Sequence, residues 1–292
     1  MKKIALLRCC VTGMGLDQYE SSSNAVLEQL GVEFIDVKEF NCCGYPLRNF
    51  NFKAFVLNSA RNLALAEERG LDILTMCNCC YGSLMHAEHR MAESEALRDE
   101  INAALDKEGL RYEGHVSPRH ILHLLYDDIG VENIRTSLKK TFRGLKIATH
   151  YGCHILRPSE IVQMDNAYSP VKLDQLVEVT GAESVPWLTK LDCCGAPSMG
   201  VNDELSMDLM ETKLRNAKNA GADYVCVICP YCQLQFDKMQ SMMASRRGSE
   251  PIIPSLLYQQ LLGLCLGIDS HRLGLHQNQV PINGVHNFLV EP

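Results

Sequence analysis

Ten of the 14 cysteines in this 292-residue sequence fall into two sets with the same order and spacing. Each set has a single cysteine, an adjacent pair followed by glycine, and a Cys-x-x-Cys pair. The first set is Cys9, Cys42, Cys43, Cys77 and Cys80, and the second is Cys153, Cys193, Cys194, Cys229 and Cys232. The single cysteines are 144 residues apart, and the other equivalent members are 151 or 152 residues apart. Such a regular shift indicates an internal duplication.

Each set offers more thiolates than a single zinc ion uses, because structural zinc takes four ligands in a tetrahedron. The adjacent side chains of Cys42 and Cys43 point in opposite directions on an extended segment. Both can bind one site only if the site is large and wraps a bend, which Gly44 permits. A multi-iron cluster is large enough, so the five cysteines of each set favour an iron-sulfur site.

Each Cys-x-x-Cys pair lies between a predicted strand and a predicted helix. The two sulfurs, at positions i and i+3, then share one face of the helix. The free N–H groups at a helix N-terminus favour thiolates and an anionic cluster. This placement is therefore also typical of iron-sulfur chemistry.

The overall composition restricts the partners and the compartment of the protein. The net charge is -7, and no run of Lys and Arg could neutralise a phosphate backbone, so we expect no nucleic-acid partner. No apolar stretch reaches the roughly 20 residues that a membrane span requires. The first residues lack the uninterrupted apolar region of a signal peptide. We therefore expect a cytoplasmic protein whose reduced cysteines bind metal or carry out redox chemistry.

Short apolar runs alternate with helical periodicity along the chain, which predicts strands and helices in turn. The predicted strands are Ile4–Leu7, Val32–Val37, Asp72–Met76, Lys146–His150, Glu183–Trp187 and Asp223–Ile228. The predicted helices are Ser22–Leu30, Lys53–Arg69, Leu84–Lys107, Val171–Thr180, Asp203–Ala220 and Leu234–Ser245, with apolar closing helices at Ile121–Ile129 and Leu256–Leu266.

This alternation predicts an α/β fold in two similar halves that arise from the duplication. Each half is expected to be a small parallel sheet with flanking helices. We place the first domain at residues 1–142 and the second at residues 143–292. Ligands of such sheets bind beyond the carboxyl ends of the strands, which is where the cysteines lie.

The cysteine pattern resembles the duplicated CCG domain of the heterodisulfide reductase B subunit. The resemblance runs from Lys3 to about Ile268. Three local strings are also similar to that family: Cys-Asn-Cys-Cys-Tyr-Gly-Ser-Leu at residues 77–84, His-Tyr-Gly-Cys-His at residues 150–154, and Cys-Pro-Tyr-Cys-Gln-Leu-Gln-Phe-Asp at residues 229–237.

The resemblance implies that each half holds a non-cubane 4Fe-4S cluster on five cysteines. The implied ligands are Cys9, Cys42, Cys43, Cys77 and Cys80 for the first cluster, and Cys153, Cys193, Cys194, Cys229 and Cys232 for the second. It also implies the family's reaction, which is the two-electron reduction of the mixed disulfide of coenzyme M and coenzyme B in methanogenesis. The two clusters would face each other across this substrate.

The resemblance further implies partner subunits that deliver the electrons. These are a small iron-sulfur protein with two cubane clusters, the C subunit, and a large flavoprotein, the A subunit. The chain itself has no closely spaced run of four cysteines for a cubane cluster and no Gly-x-Gly-x-x-Gly motif. We therefore expect no flavin or nucleotide site in this chain.

Two other interpretations remain open at this point. In one, the chain is an electron-relay subunit of another oxidoreductase complex and carries out no disulfide chemistry. In the other, one half binds zinc in place of iron, because thiolate sites accept several metals. The first half is the candidate for zinc, since Cys10 and Cys79 add spare sulfurs to its ligands.

Four cysteines stand outside the two sets. Cys10 and Cys79 are adjacent to implied ligands, and we expect them beside the first site without binding the metal. Only the spacing favours Cys9 over Cys10 as the ligand. Cys226 and Cys265 lie in apolar sequence and are predicted to be core residues.

Histidine and arginine residues near the predicted strand ends are candidates for proton transfer and anion binding. His154, next to Cys153, is the candidate proton donor to a departing thiolate, because imidazole titrates near neutral pH. His150 flanks the same cysteine. The basic residues that could contact acidic groups of a substrate are Arg8, Arg48 and Arg157.

Overall fold

The computed structural model describes residues 3–291, which form parallel sheets flanked by helices. In chain order, the strands are β1 (Ile4–Leu7), β2 (Phe34–Asp36), β3 (Asp72–Thr75), β4 (Pro118–His120), β5 (Thr141–Phe142), β6 (Lys146–His150), β7 (Glu183–Ser184), β8 (Tyr224–Val227), β9 (Ser255–Leu257) and β10 (Leu289–Val290). The helices are α1 (Asp17–Gln29), α2 (Phe52–Glu68), α3 (Asn78–Glu93), α4 (Glu95–Leu105), α5 (Ile121–His123), α6 (Val131–Ser137), α7 (Ser159–Val162), α8 (Lys172–Val179), α9 (Asp203–Asn219), α10 (Pro230–Gln233), α11 (Gln240–Arg247) and α12 (Tyr258–Cys265). Within residues 3–291, none of these helices has the length and apolar composition that crossing a membrane requires.

Each half of the sequence contributes one four-stranded parallel sheet. The strand order is β2-β1-β3-β4 in the first sheet and β7-β6-β8-β9 in the second. Each sheet has two inner strands, and one of them, β1 in the first sheet and β8 in the second, is buried along its whole length. Helices cover both faces of such a sheet. This architecture confirms the predicted α/β class, with two similar halves that each contain a small parallel sheet and flanking helices.

Each sheet has an outer strand that the apolar pattern did not reveal. β4 pairs with β3, and β9 pairs with β8. Both strands are three residues long and lead directly into a helix, so their residues merge with the apolar pattern of that helix. The predicted helix Leu256–Leu266 therefore begins two residues later than expected, at Tyr258.

The predicted helix Leu84–Lys107 is divided into α3 and α4. Ser94 separates them with an extended backbone, at φ -132° and ψ 102°. Its side-chain hydroxyl accepts a hydrogen bond from the Leu97 N–H at 3.3 Å. Serine is a favoured N-cap residue, so this contact explains why a new helix begins at that point.

The described chain folds into two compact units that do not coincide with the two halves of the sequence. The first unit contains the chain through Cys10, residues 32–124 and residues 154–164. The second unit contains residues 11–31, residues 125–153 and the chain from Asp165 onward. Residue 142 remains our proposed limit of the first copy of the duplicated sequence.

The segments that pass into the other unit begin directly after Cys10 and directly after Cys153. In the second unit, α1 from the first half of the sequence packs against α12. In the first unit, α7 from the second half of the sequence packs against α3. Each unit thus includes a helix from the other half of the sequence.

Candidate metal centres

The cysteines of the first set lie where the strands of the first sheet end. Leu7 at the end of β1 pairs with Thr75 at the end of β3, and Cys9 and Cys77 each follow two residues later. Cys42 follows β2, on the other side of β1. The carboxyl ends of parallel strands lie at one edge of a sheet, which brings these loops together.

Six thiols form a continuous network at this edge, which we call the first centre. Its members are Cys9, Cys10, Cys42, Cys43, Cys77 and Cys80. The Sγ atoms of Cys9, Cys77 and Cys80 all lie within 4.8 Å of one another. The Sγ atoms of Cys10 and Cys42 are 3.9 Å apart, and the thiol of Cys43 is hydrogen-bonded to those of Cys42 and Cys80. The structure therefore brings the first set of predicted ligands together and adds Cys10.

The second set forms a matching network, which we call the second centre. Its thiols are those of Cys153, Cys193, Cys194, Cys229 and Cys232. Hydrogen bonds join the thiol of Cys153 to that of Cys193, and join the thiol of Cys194 to those of Cys193 and Cys232. The thiol of Cys232 is in turn joined to that of Cys229. The second set of predicted ligands is thus also brought together.

Gly44 and Gly195 make the bend after each adjacent cysteine pair. Their φ angles are 84° and 88°, a left-handed backbone that favours glycine. A Cβ atom at Gly44 would lie 2.9 Å from the carbonyl oxygen of Phe55, and one at Gly195 would lie 2.5 Å from that of Ser206. The Gly195 N–H also donates a hydrogen bond to the Cys193 Sγ at 3.4 Å. The predicted role of the glycine in turning the chain is confirmed.

The Cys-x-x-Cys pairs open helices, as the sequence predicts. Cys77 is the N-cap residue of α3, and Cys229 is the N-cap residue of α10. Cys80 and Cys232 lie in the first turns of the same helices. The N-terminus of a helix carries partial positive charge, which favours thiolate sulfurs beside it.

The thiol networks produce the same protonation pattern in both centres. Hydrogen bonds with Cys10 and Cys43 lower the pKa of Cys42 to about 2. The hydrogen bond with Cys42 in turn raises the pKa of Cys43 to about 12. Cys193 and Cys194 follow this pattern, with pKa values of about 2 and about 12. One thiolate is therefore favoured at the same position of each centre.

The donor set of each centre fits an iron-sulfur cluster. The cysteines are free thiols, and most of those in the two centres are buried. Several buried thiols in mutual contact lose their protons together only when bound cations compensate the charge. A zinc ion with four ligands would leave at least one thiol of each centre unused, whereas a multi-iron cluster can use five.

His150 adds an imidazole to the second centre. One of its ring nitrogens lies within 4.8 Å of the Sγ atoms of Cys194 and Cys232. The side chain is fully buried, and burial lowers its pKa well below the usual value. His150 pairs with Val227, two residues before Cys229, and Leu7 pairs with Thr75, two residues before Cys77. The first centre therefore has a leucine at the position of this histidine.

Lys213 places a buried ammonium group near the second centre. Its side chain is 2% exposed, its Nζ donates a hydrogen bond to the carbonyl oxygen of Thr189, and this nitrogen lies 4.6 Å from the ring centroid of Trp187. Burial lowers the pKa of Lys213 to about 8, against the opposing effects of Asp192 and of thiolates such as Cys194. The group is therefore charged at neutral pH.

The first centre has an asparagine at the position of this lysine. Lys213 lies eleven residues after Asn202, the N-cap of α9, and Asn62 lies eleven residues after Asn51, the N-cap of α2. The Asn62 side chain accepts a hydrogen bond from the Asn41 N–H at 2.9 Å and donates one to the Asn41 carbonyl at 3.0 Å. The two centres therefore differ in charge as well as in the imidazole.

His154, the predicted proton donor, belongs to the first unit. Its Nε2 atom lies 3.2 Å from the hydroxyl of Tyr45, and the two rings meet edge to face at 4.9 Å. The His154 carbonyl oxygen packs so closely on Gly82 that a Cβ atom there would be 3.0 Å away. Tyr45 directly follows the first Cys-Cys-Gly bend. The role of His154 in proton transfer stays a prediction.

The three candidate arginines have different surroundings. Arg8 forms a two-point ion pair with Asp36, with distances of 3.0 and 3.1 Å, so a carboxylate already compensates its charge. Arg48 lies 3.2 Å from the Nε2 atom of His86, and burial together with this guanidinium lowers the pKa of His86 to about 4. Arg157 is exposed. Arg48 thus contacts an imidazole, whereas Arg8 contacts a carboxylate.

The remaining cysteines lie inside the protein. Cys226 and Cys265 are fully buried, and the Cys265 Sγ lies 3.7 Å from the carbonyl oxygen of Thr180, which confirms the prediction of core positions. Cys79 is also buried, in the first turn of α3.

Tyr81 and Asp237, which belong to the family-like sequence strings 77–84 and 229–237, form hydrogen bonds with other segments. The Tyr81 hydroxyl donates a hydrogen bond to the Val162 carbonyl at 2.7 Å. The Asp237 carboxylate accepts hydrogen bonds from the N–H groups of Gln279 and Val280, at 3.0 and 2.8 Å. These residues connect the helices after the Cys-x-x-Cys pairs to other segments of the same unit.

The chain is similar to known proteins over nearly its whole length. The profile of the cysteine-rich domain named CCG matches residues 4–85 and 147–237. The chain is 36% identical to the B subunit of a ferredoxin/F(420)H(2)-dependent CoB-CoM heterodisulfide reductase of Methanosarcina acetivorans, and the match covers 96% of this chain and 94% of that protein. It is 34% identical to a protein of Archaeoglobus profundus that is described as similar to the heterodisulfide reductase B subunit, with 94% and 93% covered.

Two further similarities concern proteins with other descriptions. The chain is 30% identical to the 8-methylmenaquinol:fumarate reductase membrane anchor subunit of Wolinella succinogenes, with 96% of this chain and 97% of that protein covered. A crystal structure of a hypothetical protein from Helicobacter pylori matches 97% of this chain with a TM-score of 0.77 and 19% identity. This chain spans 52% of that protein, and the similarity indicates a shared fold alone.

Proposed function

Because this chain belongs to the family of heterodisulfide reductase B subunits, in which the cysteine-rich CCG domain occurs twice, we propose that it is the disulfide-reducing subunit of an oxidoreductase complex. We propose that each centre holds a non-cubane 4Fe-4S cluster. The substrate would be the mixed disulfide of coenzyme M and coenzyme B, or a related disulfide.

The observation that supports this proposal is the matching connectivity of the two thiol networks. In each centre the adjacent cysteine pair touches the second cysteine of the Cys-x-x-Cys pair, through Cys43 and Cys80 or through Cys194 and Cys232. Two sites with five or more thiols suit two multi-iron clusters. Two clusters in one chain in turn suit a reaction that needs two electrons.

When bound, the clusters would supply the two electrons that convert a disulfide and two protons into two thiols. The residues of the chain would hold each cluster between a Cys-Cys-Gly bend and a helix N-terminus. His154 is our proposed proton donor to one departing thiolate, and the hydroxyl of Tyr45, 3.2 Å from its Nε2 atom, would fix the orientation of the imidazole.

In the proposed complex, electrons reach this chain from partner subunits. We propose that an iron-sulfur protein and a flavoprotein are the partners that deliver electrons, as the names of the relatives as reductase subunits suggest. We also propose a cytoplasmic location, because a reducing compartment keeps the cysteines available for metal.

The relay function is the second candidate. The similarity to the membrane anchor subunit of an 8-methylmenaquinol:fumarate reductase, a protein whose name refers to no disulfide, favours it. In a relay, the clusters would pass electrons between partners and would bind no substrate thiol. The response of the clusters to a thiol therefore separates the two functions.

The direct experiment is electron paramagnetic resonance of the anaerobically purified, oxidised protein before and after addition of coenzyme M, with iron, sulfide and zinc counts. Disulfide reductase function predicts about eight irons per chain and a new paramagnetic signal with the thiol. The same iron content with no response to the thiol would favour the relay. About four irons together with zinc would contradict two iron-sulfur clusters.

The variant Cys193→Ala removes a thiol at the bend of the second centre. We expect about half of the iron to remain and disulfide reduction to fall at least 100-fold, since one cluster cannot supply both electrons. Cys226→Ala is the matched control, because it removes a fully buried thiol outside both centres. Full activity of Cys193→Ala would contradict the proposed function.

A further inference from the structure

The first centre contains one more thiol than the second, and the strand register identifies the extra one. Leu7 pairs with Thr75, two residues before Cys77, and His150 pairs with Val227, two residues before Cys229. Leu7 and His150 therefore occupy equivalent positions in the two sheets. Counting onward, the third residue after Leu7 is Cys10, and the third residue after His150 is Cys153.

The contacts of the two thiols agree with this register. The Sγ atom of Cys10 lies 3.9 Å from that of Cys42, the first cysteine of the adjacent pair. Cys153 makes the corresponding contact with Cys193, the first cysteine of the other pair. Cys10 and Cys153 are thus equivalent both in their strand position and in the partner that each thiol contacts.

The course of the chain agrees as well. The chain passes from the first unit to the second after Cys10, and from the second unit to the first after Cys153. Cys10 and Cys153, the last residues before the chain changes unit, therefore occupy equivalent positions in the two copies of the repeat. Cys9 precedes this point by one residue, where the second half has Gly152.

We infer that Cys10 is the counterpart of Cys153 and the fifth cysteine ligand of the first cluster, and that Cys9 is an additional thiol at the position of Gly152. This inference rests on the proposed function, because it assigns ligands to a cluster that the proposal places in the first centre. It replaces Cys9 in the ligand set that the sequence spacing predicts.

Distance alone would favour Cys9, whose Sγ lies within 4.8 Å of those of Cys77 and Cys80. The second centre, however, has five cysteines with glycine at this position. Gly152 has a φ of 81°, a left-handed backbone that Cys9 does not share. The second centre therefore has five cysteines without a thiol at the position of Cys9 and Gly152. It does need the thiol at the position of Cys10 and Cys153 to reach five.

The test uses the full chain, purified anaerobically with its clusters, and three variants. Cys10→Ala and Cys153→Ala remove the two equivalent cysteines, and Cys9→Gly gives the first centre the residue that the second has. The measurements are iron and sulfide per chain and the paramagnetic signals of the reduced clusters. Thermal unfolding of each variant checks that the fold is retained.

We expect about eight irons per chain in the wild type and in Cys9→Gly, and about four in Cys10→Ala and in Cys153→Ala. Loss of half of the iron in Cys9→Gly would overturn the assignment, whether or not Cys10→Ala also loses it. Full iron content in Cys10→Ala would overturn it as well. A wild-type chain without iron would instead contradict the proposed function itself.

A direct measurement of the bond covers the case in which Cys10→Ala does not fold. Selenocysteine labelled with ⁷⁷Se is placed at position 10 in one sample and at position 9 in another. We expect hyperfine coupling between selenium and the cluster of the first centre to be strong for position 10 and weak or absent for position 9. Strong coupling at position 9 would overturn the inference.

Discussion

Lys213 gives the second centre a buried positive charge at a position where the first centre has a neutral residue. Its ammonium group is buried, and the equivalent residue of α2, Asn62, is neutral. A nearby positive charge stabilises the more negative, reduced form of a cluster. We therefore expect the second centre to have the higher reduction potential of the two.

Replacing this lysine tests the effect of its charge. Lys213→Met keeps an aliphatic side chain beside Trp187 but removes the ammonium group. We expect the reduction potential of the second centre to fall by about 59 mV, which corresponds to about 1.4 kcal/mol for one electron. The measurement is a redox titration followed by electron paramagnetic resonance.

Lys213→Arg is the matched control because it keeps the positive charge. We expect its potential to stay near that of the wild type. An unchanged potential in Lys213→Met, or an equal fall at both centres, would show that the lysine does not act on the second centre through its charge.

Residue types and spacing predicted the two thiol networks, but they missed Lys213, one of the polar groups that distinguish the centres. Lys213 carries a recognisable signal, since it lies on the same face of α9 as the buried residues Met210 and Ala217. A lysine at such a core-facing position needs a polar partner. The place of Cys10 was harder to predict, because the pairing of β1 with β3 is not visible in the spacing of cysteines alone.

At the scale of elements, each centre depends on a bend that packs against the following long helix. Gly195 approaches the backbone of α9, and Gly44 approaches that of α2. The bend therefore needs both a left-handed backbone and space at the glycine.

Gly195→Ala tests this contact. The added methyl group would lie 2.5 Å from the Ser206 carbonyl oxygen, so the bend must move away from α9. We expect loss of the iron of the second centre, together with a decrease of at least about 1–2 kcal/mol in the free energy of unfolding from the left-handed backbone alone. Iron counts and denaturant unfolding measure the two effects.

Gly200→Ala is the control for the backbone strain. Gly200 has a similar φ of 81°, but no heavy atom lies within 4 Å of an added Cβ. We expect a comparable loss of stability from the backbone with full iron content. If Gly195→Ala also kept its iron, close packing of the bend would not be required for the second centre.

The elements that the sequence did not predict have short or irregular backbones. β4 and β9 are three residues long, too short for the two-residue alternation of a strand to stand out. The predicted helix Leu234–Ser245 instead begins with a π-helical segment, Leu234–Met239, and continues as α11. Longer elements such as α2 and α9 were predicted to within one residue at each end, because their apolar residues recur over several turns.

At the scale of the whole molecule, the exchange of segments makes each unit depend on both halves of the sequence. α1, with buried Tyr19, Val26 and Leu27, belongs to the second unit, although it precedes most of the first. Hydrophobic periodicity predicts that a helix packs on a sheet but does not specify which sheet. The duplication was therefore predictable from the sequence, whereas the composition of the compact units was not.

Separate expression of residues 1–142 and 143–292 tests this dependence. We expect neither fragment to form a stable monomer, because the first lacks residues 154–164 and the second lacks α1. Coexpressed fragments should associate and recover iron. Size-exclusion chromatography and iron counts measure both results, and a monomeric first fragment with the iron of its centre would contradict the expectation.

The exchange of segments also sets the order of events during synthesis on the ribosome. The first unit is not complete until residues 154–164 have been made, and α12, against which α1 packs, is made near residue 260. Domains usually fold in turn from the N-terminus, but here we expect neither half of the sequence to complete its folding alone. We therefore expect the first centre to take up iron and sulfide only after residues 154–164 have been made, well after its last cysteine, Cys80, has been translated.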